Sequence, residues 1–204
     1  SAGTAAGTYV YPYSICTLPA TTPTATCDTA NATVVVTAAT IDAVADASST
    51  PANTAVITDV LANDTNNGGT INAASVVVTV PSANGTTSVN PATGAITFTP
   101  TAGFSGTTTY TYQVCLAAPN AAICDTAVVT VTVNATIDAA ADDFSATPIN
   151  GGNGGTTASI ITNDTTNGVA AVIGTNVTLT PGASPNAGLL MNADGTITVS
   201  AGTA

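Results

Sequence analysis

The sequence predicts an all-β chain, a tandem array of β-sandwich domains, on three observations. The chain repeats itself: Ala39-Thr40-Ile41-Asp42 returns 96 residues later as Ala135-Thr136-Ile137-Asp138, each copy closing a valine-rich run (Thr33 to Thr37, then Val129 to Val133). Short β-branched runs recur roughly every 8–12 residues between Gly, Asn and Pro, the pattern of a sandwich. No stretch shows the 3.6-residue apolar period of a helix.

The repeat fixes the frame, since a fixed period is read before any single residue. Cys27-Asp28-Thr29-Ala30 returns as Cys124-Asp125-Thr126-Ala127, Tyr13-Ser14-Ile15-Cys16 as Tyr112-Gln113-Val114-Cys115, and Asn63-Asp64-Thr65 as Asn163-Asp164-Thr165. The offsets of 96 to 100 residues match one sandwich domain. Ser200-Ala201-Gly202-Thr203-Ala204 repeats Ser1-Ala2-Gly3-Thr4-Ala5, so 204 residues less that five-residue overlap leave a unit of 199. The expected division is residues 1–40 as the C-terminal half of one repeat, 41–136 as a complete repeat, and 137–204 as the N-terminal half of the next. The chain thus reads as a fragment or repeat unit of a long fibre.

Taken in order, Thr8–Cys16 and Thr29–Thr37 are predicted as two strands joined by the Pro/Thr-rich loop Leu18 to Thr26, with Tyr9, Tyr11 and Tyr13 on one face. Those tyrosines are expected to pack the sandwich or its neighbour. In the complete repeat the predicted strands are Ala55–Leu61, Ser75–Val80, Thr86–Val89, Ala95–Thr99, Thr107–Cys115 and Thr126–Val133. In the last segment they are Thr157–Ile161, Val169–Ile173, Asn176–Thr180, Gly188–Met191 and Thr196–Val199, with Asp194-Gly195 as a hairpin turn. Threonine suits strand faces turned to water, being β-branched, polar and uncharged.

Composition removes whole classes of function. The chain has no Lys, Arg or His, its 11 acidic residues are all Asp, and its net charge is −11. Phosphate neutralisation, hence nucleic-acid binding, has no cation to use, nor has adhesion to anionic lipid. No apolar run approaches the roughly 20 residues of a membrane-spanning helix. Nucleophile–His and Lys-based catalysis are absent, and the chain is predicted not to be an enzyme. No Lys/Arg-directed protease can cut it, no side-chain salt bridge or Lys isopeptide link can form, and like charge keeps copies apart.

Stapling therefore falls to cysteine or metal. The similarly spaced pairs Cys16/Cys27 and Cys115/Cys124 each span a hairpin connection and read as disulfides in an oxidising compartment, the alternative being four free buried thiols. Neither a C-x-x-C motif nor a histidine supports a metal on them. No cofactor is required; calcium is the one metal the Asp residues point to, because it takes six to eight oxygen ligands. Asp42, Asp46, Asp138, Asp142 and Asp143 lie at or beside the seams, and Asp64 and Asp164 follow asparagines in loops placed to approach the same end. The competing reading makes all seven ordinary solvated turn-formers.

The combination of Val60-Leu61-Ala62-Asn63-Asp64-Thr65, Asn84-Gly85-Thr86, Phe98-Thr99-Pro100-Thr101-Ala102-Gly103-Phe104-Ser105-Gly106-Thr107 and Tyr110-Thr111-Tyr112 resembles the cadherin-like/Ig-like tandem repeats of giant bacterial surface adhesins. With Cys-Asp-Thr-Ala, Ile-Asp-Ala and Met191 to Val199, it is most similar to the repeats of SprB-type gliding adhesins of Bacteroidota. The resemblance implies Greek-key Ig-like (cadherin-like) sandwiches in an extended array, on the bacterial cell surface, exported by the type IX system. It implies a structural stalk or filament segment whose partners are adjacent repeats, with a substrate surface or polysaccharide as a further partner. The alternatives are a glycan- or surface-binding module, and a strand-donating subunit of an extracellular polymer. A cadherin-type calcium site also uses Glu, which is absent here. Asp28-Thr29-Ala30, Asp125-Thr126-Ala127 and Asp164-Thr165-Thr166 resemble the Bacteroidota O-glycosylation motif, with Thr29, Thr126 and Thr165 as acceptors.

Overall fold

A computed structural model describes residues 4–17 and 26–202. Most of the Pro/Thr-rich loop and the outer residues of the matching termini lie outside that set. Every regular element among the described residues is a strand, and none of them is a helix that could cross a membrane.

The first element is an isolated hairpin. Strands β1 (Gly7–Cys16) and β2 (Cys27–Val36) pair antiparallel from Gly7↔Val36 to Cys16↔Cys27 and join no other strand. Alternation puts Tyr9, Tyr11 and Tyr13 on one face as expected, but that face is open: Tyr11 is 73% exposed. Among the described residues no second sheet covers the tyrosine ladder, whose one side-chain hydrogen bond runs from the Tyr9 hydroxyl to the Ala5 carbonyl.

The second element is a complete sandwich. One sheet has the order β4 (Asp46–Pro51), β11 (Cys124–Asn134), β10 (Gly106–Leu116), β7 (Ile71–Val80). The other is β5 (Val56–Thr58), β9 (Ile96–Pro100), β8 (Gly85–Val89). A short pair, β3 (Thr40–Asp42) with β6 (Thr65–Asn67), closes one end. Period-two alternation sends Tyr110, Tyr112, Val114 and Leu116 from β10, and Val129, Val131 and Val133 from β11, onto Ile96 and Phe98 of β9; all are at most 2% exposed. Phe98 and Tyr110 stack across the core with ring centroids 6.1 Å apart. Burying each such side chain contributes about 1.5–3 kcal/mol before entropy is subtracted. Gly85 is required where β8 crosses Phe98, since a Cβ there would sit 2.5 Å from the ring.

Sequence reading missed β3, β4 and β6. Strand β4, Asp-Ala-Ser-Ser-Thr-Pro, carries no large apolar residue, and its pairing with β11 is parallel, so no turn announces it. The predicted strand Ala55–Leu61 is cut to Val56–Thr58, because the chain turns at Asp59–Leu61 to bury Val60.

The third element repeats the front of this plan in looser form. Strands β12 (Ile137–Asp138), β14 (Thr165–Thr166) and β15 (Val169–Ala170) make one small sheet. Strands β13 (Gly155–Thr156), β17 (Ile197–Val199) and β16 (Leu189–Met191) make another. Neither Asn176–Thr180 nor Thr157–Ile161 is a strand; the start of the former is drawn into a turn, with the bridge Ile173↔Val177 and the Asn176 and Val177 amides on the Val172 carbonyl. The counterpart of Asn176–Thr180 in the complete sandwich is β7, whose ladder partner is β10.

Candidate functional site

Two places on the complete sandwich bring predicted site residues together or join one unit to the next: an acidic end and a seam.

The acidic end forms around Tyr112, buried on β10. Its hydroxyl donates to the Val60 carbonyl at 2.8 Å and reaches both oxygens of Asp64 at 3.1 and 3.2 Å. Asp64 also accepts the Val44 amide at 2.8 Å, while the Asn63 side chain donates to the carbonyls of Val44 and Ala45 at 3.4 and 3.2 Å. Asp125 accepts the Ala43 amide at 2.9 Å. Asp46 lies beside them with its Oδ2 buried and without a hydrogen bond. Burial first, then the Asp64 charge, pushes the Asp46 carboxyl up to about 6. Burial likewise raises Asp64, against its hydrogen bonds from Val44 and Tyr112. Burial and these carboxylates push the Tyr112 phenol up as well.

The Asn-Asp pair thus staples the loop after β5 to the strand entry at residues 43–45. The third unit repeats the device: Asp164 accepts the Ala140 amide at 2.8 Å, and Asn163 donates to the Ala141 carbonyl at 3.2 Å. Of the seven Asp residues read as calcium candidates, three lie at this end: the Asp64 charge acts on Asp46, and the Asp42 charge on Asp64. Asp138 and Asp164 line one cleft in the third unit. Asp142 is exposed, and Asp143 is exposed and accepts the Ser145 amide, which holds its carboxyl low. Among the described residues no three carboxylates gather closely enough to hold a metal ion.

The seam joins the complete sandwich to the third unit through two asparagines. Asn53, in the turn after β4, donates to the Asn167 carbonyl at 2.6 Å and accepts the Gly103 amide at 3.0 Å. Asn167, in the β14–β15 turn, donates to the Gly103 carbonyl at 3.2 Å and to Ser105 Oγ at 3.1 Å. Its Oδ1 accepts the Thr136 amide at 2.8 Å, and its own amide donates to the Thr136 carbonyl at 2.8 Å. Among the described residues Asn53 (φ 61°) and Asn167 (φ 50°) are the two non-glycine residues in the left-handed region, which Asn tolerates better than most. Gly168 follows at φ 71°, and a Cβ on it would lie 2.7 Å from the Asn53 amide nitrogen. Sequence reading missed both asparagines; the signal was Asn67-Gly68 recurring as Asn167-Gly168, and Pro51-Ala52-Asn53 recurring as Pro148-Ile149-Asn150.

Both disulfides form as read, Cys16–Cys27 and Cys115–Cys124, each joining register partners across its hairpin. Thr29 and Thr126 are exposed on β2 and β11; Thr165 is partly covered in β14.

Residues 20–133, more than half of the chain, match the bacterial Ig domain family. No curated protein matches the chain. Domains of this family, with disulfides, are typical of extracellular or surface proteins and serve as adhesin-type or structural modules rather than enzymes. With its all-β sandwich and its matching sequence, the chain belongs to the bacterial Ig domain family.

Proposed function

We propose that this chain is a stalk segment of a secreted bacterial cell-surface adhesin, in which Ig-like repeats follow one another at a fixed angle. The observation that carries this reading is the asparagine seam. Three hydrogen bonds join Asn53, Gly103 and Ser105 of the sandwich to Asn167 in a single turn of the next unit, and two more hold that turn to Thr136 at the junction. A flexible linker between independent modules would need none of them. Contacts between neighbouring units are what give a repeat array its shape. Calcium is not required by this reading. On the resemblance set out above, the fibre sits outside the cell, is exported by the type IX route and moves along the surface during gliding. Antibody labelling of intact cells of the source bacterium, with and without that export route, tests its placement.

A second reading, a glycan- or surface-binding module, draws on the open tyrosine face of β1. Its register argues for the stalk, because Tyr11 and Tyr13 align with Tyr110 and Tyr112, which are core residues.

The test is a distance measurement across the seam by electron-spin labels at Ser88 and Thr175, both exposed. A single narrow distribution is expected, broadening in Asn53→Ala and Asn167→Ala while the sandwich still melts cooperatively. A broad distribution in the unaltered chain refutes the reading.

A further inference from the structure

We propose that Asn167-Gly168 is a self-modifying joint: when the seam opens, the dipeptide closes to a succinimide, and hydrolysis leaves an aspartate or isoaspartate that keeps the seam open. The proposal rests on the seam reading above, because the hydrogen bonds that set the angle between units are the ones that hold the reaction back.

Packing fixes both residues of the pair. Position 168 has to be glycine, since its φ is 71° and a Cβ there would lie 2.7 Å from the Asn53 amide nitrogen. Position 167 has to supply a donor and an acceptor from the left-handed region, at φ 50°. Its Nδ2 donates to the Gly103 carbonyl and to Ser105 Oγ, and its Oδ1 accepts the Thr136 amide. Asparagine before glycine is also the dipeptide most prone to ring closure, because no side chain shields the attacking nitrogen. The joint cannot be built without the labile pair.

The chemistry needs only water. The Gly168 nitrogen attacks Asn167 Cγ; the N–Cγ bond forms, the Cγ–Nδ2 bond breaks, and Nδ2 leaves as ammonia with the proton that the Gly168 nitrogen gives up. Water then adds to one ring carbonyl and the ring opens. Addition at Cγ gives aspartate, and addition at the backbone carbonyl gives isoaspartate, with the chain running through Cγ.

The closed seam blocks the first step. Cγ lies between Oδ1 and Nδ2, and both are anchored. It cannot turn onto the Gly168 nitrogen without breaking hydrogen bonds of 2.8, 3.2 and 3.1 Å. Asn53 holds the Asn167 carbonyl beside it at 2.6 Å. Reaction therefore proceeds from the open fraction alone. The product does not close again. Aspartate has no donor for the Gly103 carbonyl and sets a negative charge against it, and isoaspartate lengthens the backbone of the turn by one methylene.

The chain carries its own references. Asn150-Gly151 and Asn153-Gly154 share an exposed turn, where Asn150 Oδ1 accepts the nearby Gly152 amide. Asn84-Gly85 is locked into the sandwich, with Gly85 paired to Pro100 and Asn84 Nδ2 on Thr108 Oγ1.

The test is incubation at mildly alkaline pH, read at each asparagine by peptide mass mapping after pepsin digestion. Asn150 and Asn153 should convert first. Asn167 should convert about a hundredfold more slowly than in the free peptide Thr165–Ala171, at roughly fivefold for each of three hydrogen bonds. Ser105→Ala should speed Asn167 roughly fivefold and leave Asn84 unchanged; Asn53→Ala should act in the same sense. Chains converted at 167, separated by their added negative charge, should show a broad distance between spin labels at Ser88 and Thr175, as should Asn167→Asp. Conversion at the peptide's rate with a narrow distance in the unaltered chain overturns this inference and leaves the stalk reading standing. The same rate with a broad distance removes both. A rate, or an absence of reaction, at Asn167 that both Ser105→Ala and Asn53→Ala leave unchanged overturns the inference, as does a converted joint that keeps the narrow distance.

Discussion

Acid should stabilise the complete sandwich, and Asp46 should be the main cause. Asp46 sits on β4 with one carboxylate oxygen buried and unpaired. Asp64 and Asp59 add repulsion, and only Asn63 and Tyr112 relieve it. Its pKa rises from 3.8 to about 6. The folded state therefore holds a proton that the unfolded state has released, and the stability linked to that proton is full below pH 3.8 and lost as pH rises through about 6. Two pK units correspond to roughly 3 kcal/mol, and part of that is screened because the residue is not fully buried. Between pH 7.5 and 5, a range clear of the isoelectric point near 4.1, a gain of about 1 kcal/mol is expected.

Asp64 is raised too and acts in the same sense. Asp143 and Asp194 are held low by their hydrogen bonds to Ser145 and Thr196. Their contribution is present above the ordinary carboxylate pKa and is lost only below the window. No histidine or cationic side chain titrates within it. The assay is urea unfolding followed by tyrosine fluorescence, since the chain has no Trp. Asp46→Asn should flatten the profile, stabilising by about 1 kcal/mol at pH 7.5, or about 4–8 °C in Tm for a domain of this size. Stability that rises from pH 5 to 7.5, or an Asp46→Asn change equally destabilising at both ends, refutes the reasoning.

Tyr112→Phe should destabilise the sandwich by about 1–3 kcal/mol at neutral pH, read by the same unfolding, because the buried Val60 carbonyl and Asp64 lose their donor. Replacing Cys16 and Cys27 by Ser should release amide-exchange protection along β1 and β2, which pair with nothing else. Replacing Cys115 and Cys124 should lower the sandwich's stability by about 3 kcal/mol without unpairing β10 from β11, since β7 and β4 flank them. Gly168→Ala should broaden the seam distance distribution while leaving the sandwich's Tm within about 2 °C, because its Cβ meets Asn53 rather than the core. Excess chelator should leave the sandwich's melting midpoint in place, Asp46 and Asp64 being joined there by no third carboxylate at metal distance; a fall of several degrees would bring calcium back.

What the sequence reveals and what it hides have the same origin. Strands β10 and β11 are legible because both faces of their alternation are written in side chains, Tyr and Val inward against Thr outward, and a disulfide marks their join. Strand β4 is illegible because its identity lies in backbone pairing with β11, which its Ser and Thr do not advertise. The acidic end shows the same division. Repetition picks out Asn63-Asp64 and Asn163-Asp164, and calcium is the ligand that their oxygens suggest. The structure gives those residues local work, an amide accepted and two carbonyls held, which a sequence does not distinguish from ligation. Asn53 and Asn167 were hidden because each looks like an ordinary turn residue; only their meeting, 114 positions apart, makes them a joint. The tyrosine ladder inverts the case. Its pattern announces a buried face, its exposure contradicts the pattern, and both hold if burial is completed from outside the chain. A strand pattern reports what a segment needs to be covered by, and in a repeat array the cover need not come from the same unit.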